Sequence, residues 1–310
     1  MVLSLARYRL ARVLRHGAGS LVALTLLMGA IGGVALASLV AARETSSSYS
    51  TLLARSNPSD LNVLFYGPDV TSRLAHLPGV VDVKPLLYSL NAFPMANGGP
   101  QFPRAYRLGR VGPLASVNGE YFTQDRVSVT SGRMADPRRA DEFMATAEAE
   151  RELGWHVGQR IPMGIFTNAQ VNSAQFSTPA VRPVKQYDER LVGTIVFNWN
   201  VVRDEVDRYP AWFVFTPAAA HGLDGGTQWV EYCLQLRHGS ASVSAVEREI
   251  VGAMPPRTTY SFHVTSVVAG QVERSVRPLA LALGVFGAMA LLGAILTAVQ
   301  LIARQLRARR

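Results

Sequence analysis

The chain has 310 residues, and its 31 Lys and Arg outnumber 22 Asp and Glu for a net charge of +9. The surplus sits at the ends: residues 1–43 and 277–310 each hold five Arg and no acid, leaving 21 basic and 22 acidic residues between them. A near-neutral middle excludes a nucleic-acid reading of the high charge, and a single cysteine, Cys233, excludes an intrachain disulfide.

Residues 1–20 read as a cytoplasmic amphipathic segment. Leu3, Ala6, Leu10, Val13 and Leu14 share one helical face, and Arg9, Arg12, Arg15 and His16 lie opposite, a pattern suited to the membrane interface. Residues 21–42 carry no charge. As a helix they reach about 33 Å, enough for a ~30 Å hydrocarbon core, and a transmembrane helix is expected. Gly29 and Gly33 have the spacing of a small-residue helix contact. Ala35-Leu36-Ala37 has the form of a signal-peptidase site, but the apolar run continues to Ala42, longer than a signal core, so a retained span is expected.

Residues 43–277 are expected to fold as an α+β domain. Strands are predicted at 61–66 and 80–88, with a helix at 70–77 that Leu77-Pro78-Gly79 stops. Short strands follow at 127–130, 142–146 and 160–166, with a helix at 147–153 ended by Gly154. This central part, roughly 100–210, is expected to be a distal subdomain, and its polar stretch 167–188 an exposed loop. Residues 229–236 alternate, placing Val230, Tyr232, Leu234 and Leu236 on one face and a half-buried, structural Cys233 on the other. A helix at 243–254, capped by Ser240 or Ser242, and a strand at 259–264 complete a second strand–helix–strand unit.

Residues 278–303 are again free of charge and predict a second transmembrane helix, followed by a basic tail at 304–310. Arg7, Arg9, Arg12 and Arg15 before the first span, and Arg304, Arg307, Arg309 and Arg310 after the second, place both termini in the cytoplasm. The intervening domain is then extracytoplasmic, and the chain is a multi-pass protein of the cell membrane.

Catalytic, cofactor and metal signatures are missing. The sequence has no phosphate-binding Gly-rich loop with Lys, no Gly-x-Ser-x-Gly elbow, no His-Glu-x-x-His helix and no Cys-x-x-Cys, and only two lysines, Lys84 and Lys185. The six histidines are scattered. Glu148, Glu150 and Glu152 read as a solvated helix face with Arg151, as do Asp204, Glu205 and Asp207 beside Arg203 and Arg208. Trp155, Trp199, Trp212 and Trp229 read as core anchors. No catalytic, cofactor-binding or metal-binding residue is assigned, and the chain is not expected to be an enzyme.

Span, α+β domain, span resembles the first part of FtsX/MacB-like ABC transporter permeases. Three local stretches carry the likeness. Leu74-Ala75-His76-Leu77-Pro78-Gly79-Val80-Val81 resembles an early helix–turn–strand step of that family's outer domain. Val129-Thr130-Ser131-Gly132-Arg133 with Asp141-Glu142-Phe143-Met144 resembles its Gly-Arg and Glu-Val-Val segment. The run Ala149 to Gln159 resembles its Ala-x-x-Leu-Gly-x-x-Val-Gly-Asp step, with Gln159 in place of Asp. The resemblance implies a MacB periplasmic-core-like domain and a permease-type subunit that works with a separate cytoplasmic ABC ATPase. It would transmit ATP-driven motion to the outer domain for export or mechanotransmission. Family members carry at least four spans, so a second permease subunit or fragment is a further expected partner, beside the lipid bilayer. Two alternatives share the layout: a two-span sensor or scaffold for an extracellular ligand, and a polysaccharide chain-length regulator. The regulator predicts long helical hairpins where this sequence predicts strands.

Overall fold

The computed structural model describes residues 2–176, 178, 180–199, 211–221, 223, 225–227, 229–254 and 258–307, and leaves out the side chains of 2–21, 23, 24, 301, 305 and 306. The amphipathic face expected over residues 1–20 and the charged run 203–208 therefore lie outside the described residues.

In chain order the elements are α1 (Val2–Ser56), β1 (Leu61–Tyr66), α2 (Thr71–Ala75), β2 (Val80–Tyr88), β3 (Ala92–Ala96), β4 (Gly99–Pro100) and α3 (Arg104–Arg107). Then come β5 (Val111–Ser116), β6 (Ser128–Gly132), β7 (Glu142–Thr146), α4 (Ala147–Leu153), β8 (Arg160–Ile165), α5 (Asn168–Val171), β9 (Lys185–Val196) and β10 (Ala211–Phe215). The last are α6 (Pro217–Ala220), β11 (Trp229–Leu236), α7 (Val243–Ala253), β12 (Thr259–Val264) and α8 (Thr265–Arg307). They form two compact units, Met1–Tyr49 with Glu273–Arg310, and Ser50–Val272.

The first unit is made of the apolar parts of α1 and α8. Both helices contain stretches long and apolar enough to cross a membrane, and both run beyond the charge-free segments, α1 by 14 residues to Ser56. Large apolar side chains such as Leu26, Leu36, Phe286, Met289 and Leu296 face outward, as lipid requires. The two helices meet at Gly287, where a Cβ would lie 3.0 Å from the Ala35 carbonyl oxygen and 3.2 Å from the Ser38 Cβ. The contact expected at Gly29 and Gly33 is not seen among the described residues: a Cβ added at either glycine would meet nothing within 4 Å. Pro278 lies inside α8, and the helix continues through it with one backbone donor fewer.

In the second unit the strand order is β12-β1-β11-β2-β5-β10-β7-β9-β8-β3-β4, with β6 also paired to β9. Its first four strands are antiparallel and come from two strand–helix–strand units, β1-α2-β2 and β11-α7-β12, interleaved as a split β-α-β pair. α2 and α7 contribute Leu74, Val243, Val246 and Ile250 to a core with Leu61, Val63, Phe65, Tyr232 and Leu234. Residues 89–228, inserted between β2 and β11, carry the rest of the sheet. There β5 runs parallel to β10, and β7 parallel to β9. The long β9 pairs with β8 through its first half and with β6 through its second.

Local sequence sets several of these elements. Thr146 caps α4 by accepting from the Ala149 N–H, and Gly154 ends it at φ +68°. The stretch read as an exposed loop, 167–188, is more ordered than expected. Thr167 and Gln170 form a capping box on α5, β9 begins at Lys185, and Phe176 stacks its edge on Phe93, Phe102 and Phe166. That aromatic group ties a polar segment to the sheet.

Candidate functional site

The Gly-Arg and Glu stretches that carry the family likeness meet in space. Arg133 donates from both terminal nitrogens to Glu142 (2.8 and 2.6 Å), and Arg139 Nε lies 3.2 Å from the same carboxylate. The Asp136 N–H adds a fourth donor at 3.1 Å. Glu142 is 2% exposed, and the Arg133 hydrogen bonds hold its carboxyl below the usual range. This pair fixes β6 to β7 and is structural.

A less expected group lies on the face of β11 opposite the α2–α7 core. Cys233 was expected to be half-buried; it is fully buried, because the loop between β5 and β6 covers that face. Glu120, Gln124 and Asp125 come from this loop, which folds back so that Glu120 and Gln124 bridge each other. Tyr121 (φ +67°) and Asp125 (φ +44°) hold left-handed backbone to make that reversal, at about 1–2 kcal/mol each.

The end of α1 enters the same group. Ser59 donates its N–H to both Asp125 oxygens (3.2 and 3.1 Å) and its hydroxyl to Asp125 Oδ2. Asn198 donates to Asp125 Oδ1 and to Ser56 Oγ. Gln124 Nε2 donates to Ser59 Oγ (2.8 Å) and to the Cys233 carbonyl (3.0 Å). The Asp125 and Arg126 N–H groups donate to the Asn57 and Ser56 carbonyls, which α1 leaves open where it ends. The start of α8 joins from the other side, Thr265 donating its hydroxyl to the Ser59 carbonyl and its N–H to that of Asp60. Both long helices thus terminate in one buried hydrogen-bonded junction inside the sheet unit. A cavity of about 330 Å³ beside it is lined by Arg55, Ser56, Arg126 and Met134 among others.

The electrostatics of the junction are unusual. Glu120 is fully buried, and no N–H or hydroxyl donor reaches either carboxyl oxygen. Burial, and then the Asp125 carboxyl beside it, push its pKa far above the carboxylate range. Burial raises Glu231 to about 7 despite a 3.4 Å hydrogen bond from Asn62, and raises the Cys233 thiol as well. One ligand atom each from Glu120, Asp125 and Cys233 lie within 4.8 Å of one another.

The other residues weighed in the sequence play structural parts. His76, His156, His221, His238 and His263 are exposed. Glu148 pairs with Arg151 on the α4 surface. Trp155 packs on Phe143 and Phe213, Trp199 on Trp212, and Trp229 on Tyr66. Of the junction, only Cys233 stands out in sequence. A usable signal would have been Gly119-Glu120-Tyr121-Phe122, an acid set directly against two aromatics that the core buries.

No model of a known protein family matches the chain, and no curated protein sequence does. Among solved structures, a domain of a candidate permease protein from Porphyromonas gingivalis aligns over 66% of this chain and 90% of its own, with 12% identity and a TM-score of 0.34. At that similarity neither fold nor activity transfers from one to the other.

Proposed function

We infer that the chain is a permease-type membrane component that couples movement of two spans to a sheet domain outside the membrane. In this reading both termini are cytoplasmic, the partner is a cytoplasmic ABC ATPase, and a second permease subunit or fragment completes the membrane part. The observation that carries it is the junction: α1 and α8 each run unbroken from an apolar stretch into the sheet unit, and both end on Ser59 and its neighbours. A helix displaced along its axis must then break hydrogen bonds there or carry the sheet with it. The FtsX/MacB resemblance supplies the energy source. The strand-rich sheet unit favours this reading over a chain-length regulator, which predicts long helical hairpins there.

The test is affinity purification of the full chain in mild detergent, with mass spectrometry of co-purifying proteins. Recovery of an ABC ATPase is expected, and its consistent absence under conditions that preserve other membrane complexes overturns the reading. A Gly-Ser insertion after Gln271 should then leave ATPase binding intact and abolish the response of the sheet domain to ATP.

A further inference from the structure

We propose that Glu120, Asp125 and Cys233 form a buried binding site for one divalent cation of the zinc class, with Gln124 as a supporting oxygen donor. The site does not depend on the transport reading.

Geometry is the first argument. A carboxylate oxygen from Glu120, one from Asp125 and the Cys233 sulfur lie within 4.8 Å of one another, close enough for all three to reach one ion after small side-chain adjustments. The second argument is independent of the acids. Gln124 is completely buried, and its Nε2 is used twice, on Ser59 Oγ and the Cys233 carbonyl, which locks the amide against the cluster. Its Oε1 has no partner. Neither oxygen of Glu120 receives an N–H or hydroxyl hydrogen bond, and the groups that face it are the Asp125 carboxyl and the Cys233 thiol. A buried amide oxygen without a donor, beside two carboxyls and a thiol that have only one another, costs several kcal/mol unless something positive meets them.

Among the described residues no Lys or Arg hydrogen bond to the cluster supplies that charge. The partners of Asp125 are Ser59 and Asn198, both neutral, and the further ionisable groups acting on Glu120 are another acid, Glu231, and Cys233 itself. A divalent ion would compensate the acids and satisfy the orphaned Gln124 oxygen at once. The thiol selects its class: calcium and magnesium take oxygen, whereas sulfur with carboxylate oxygen suits zinc, cobalt and cadmium. Binding balances as M²⁺ entering while the Cys233 S–H and the Glu120 carboxyl each release a proton to solvent, leaving a thiolate and a carboxylate on the metal. Full burial implies that the ion loads during folding and exchanges slowly.

The test uses the full chain, carrying an affinity tag without histidine, produced in medium supplemented with Zn²⁺ or with Co²⁺. Elemental analysis should find one equivalent of metal per chain, and the Co²⁺ form should show a thiolate-to-cobalt charge-transfer absorption. Cys233→Ser should remove that absorption. Glu120→Gln, nearly isosteric, should lower metal content at least about tenfold and lower the unfolding midpoint read by tryptophan fluorescence. Wild-type protein with negligible metal overturns the proposal. So does a Glu120→Gln variant as stable as wild type with its metal retained, or one more stable than wild type. That last result would identify Glu120 as a protonated acid donating to Asp125. If Cys233→Ser fails to fold, the metal content and absorption of the Glu120→Gln protein decide the matter.

Discussion

Glu189 offers a direct way to test the electrostatics of the sheet unit. It lies on β9 opposite Ile161 of β8, on the strand face that Tyr187 and Leu191 turn into the core. It is fully buried, and both carboxyl oxygens lack a partner. Burial raises its pKa from 4.5 to about 8, and Asp141, Asp188 and Glu142 add to the shift. An acid whose folded-state pKa lies above its unfolded value keeps its proton on folding. Between pH 4.5 and 8 the unfolded chain has released a proton that the folded chain still holds. Stability therefore falls as pH rises through this window and levels off above it. At about 1.4 kcal/mol per pH unit, the loss by pH 7 is about 3 kcal/mol relative to pH 4.5. Glu189→Gln removes the titration and retains the shape of the protonated acid. The variant should match wild type near pH 5 and exceed it by about 3 kcal/mol near pH 7, with the gap widening to pH 8. All four tryptophans fall within residues 50–272, so their fluorescence during denaturant unfolding of the detergent-solubilised chain reports this unit alone. Parallel wild-type and variant curves from pH 5 to 8.5 would refute the reasoning.

Three further outcomes follow from other contacts. Glu142→Gln should cost about 1–3 kcal/mol at pH 7, below the usual range for a fully buried pair because Arg133 is half exposed. Glu142 has a lowered pKa, so this stabilisation is present above pH 4.5 and is lost as pH falls through the folded value; the variant should show a shallower acid limb in the same fluorescence assay. Gly193→Ala would place a Cβ 2.2 Å from the Arg133 carbonyl oxygen, a backbone atom that cannot swing aside; faster hydrogen exchange in β6 and β9, with a loss of at least about 2 kcal/mol, is expected. In a Cys233→Ser background, the Ser38→Cys and Gly287→Cys pair should form an intramolecular disulfide on mild oxidation, seen as a mobility shift without reductant, and the absence of any cross-link would disprove the helix contact at Gly287.

Which parts of this molecule are legible in its sequence depends on how each element is buried. β1, β2, β7, α4 and β12 occupy the residues that local pattern predicts, because apolar spacing, a Thr cap or a helix-ending glycine acts within a few positions. β5 and β10 are buried at every position, which erases the alternation that marks a strand, and β5 also contains Gly112 and Pro113. β9 opens with Lys185-Gln186-Tyr187-Asp188-Glu189-Arg190, a polar run that reads as loop until its pairing with β8 is known. The junction is hardest to read. Its parts come from residues 56–60, 116–126, 198, 231–233 and 265, segments with no common spacing that only the sheet order brings together.

The polarity of that junction has a consequence for how motion would pass through it. Replacing buried charged or polar groups with well-packed apolar ones is often neutral or stabilising, so stability alone does not account for Ser59, Gln124, Asp125 and Asn198 at this place. Hydrogen bonds differ from apolar contacts in having direction and discrete partners. An apolar socket would let α1 and α8 slide by fractions of an ångström against the sheet at little cost. Here the ends of both helices share one short segment: the Ser59 amide and hydroxyl hold Asp125, and its carbonyl accepts from Thr265. Displacement of either helix must break a specific bond or move the other partner. Asp125 and Gln124, which hold the Ser59 segment, belong to the same buried group as Glu120 and Cys233, so whatever neutralises that group also sets how firmly the two helices are held.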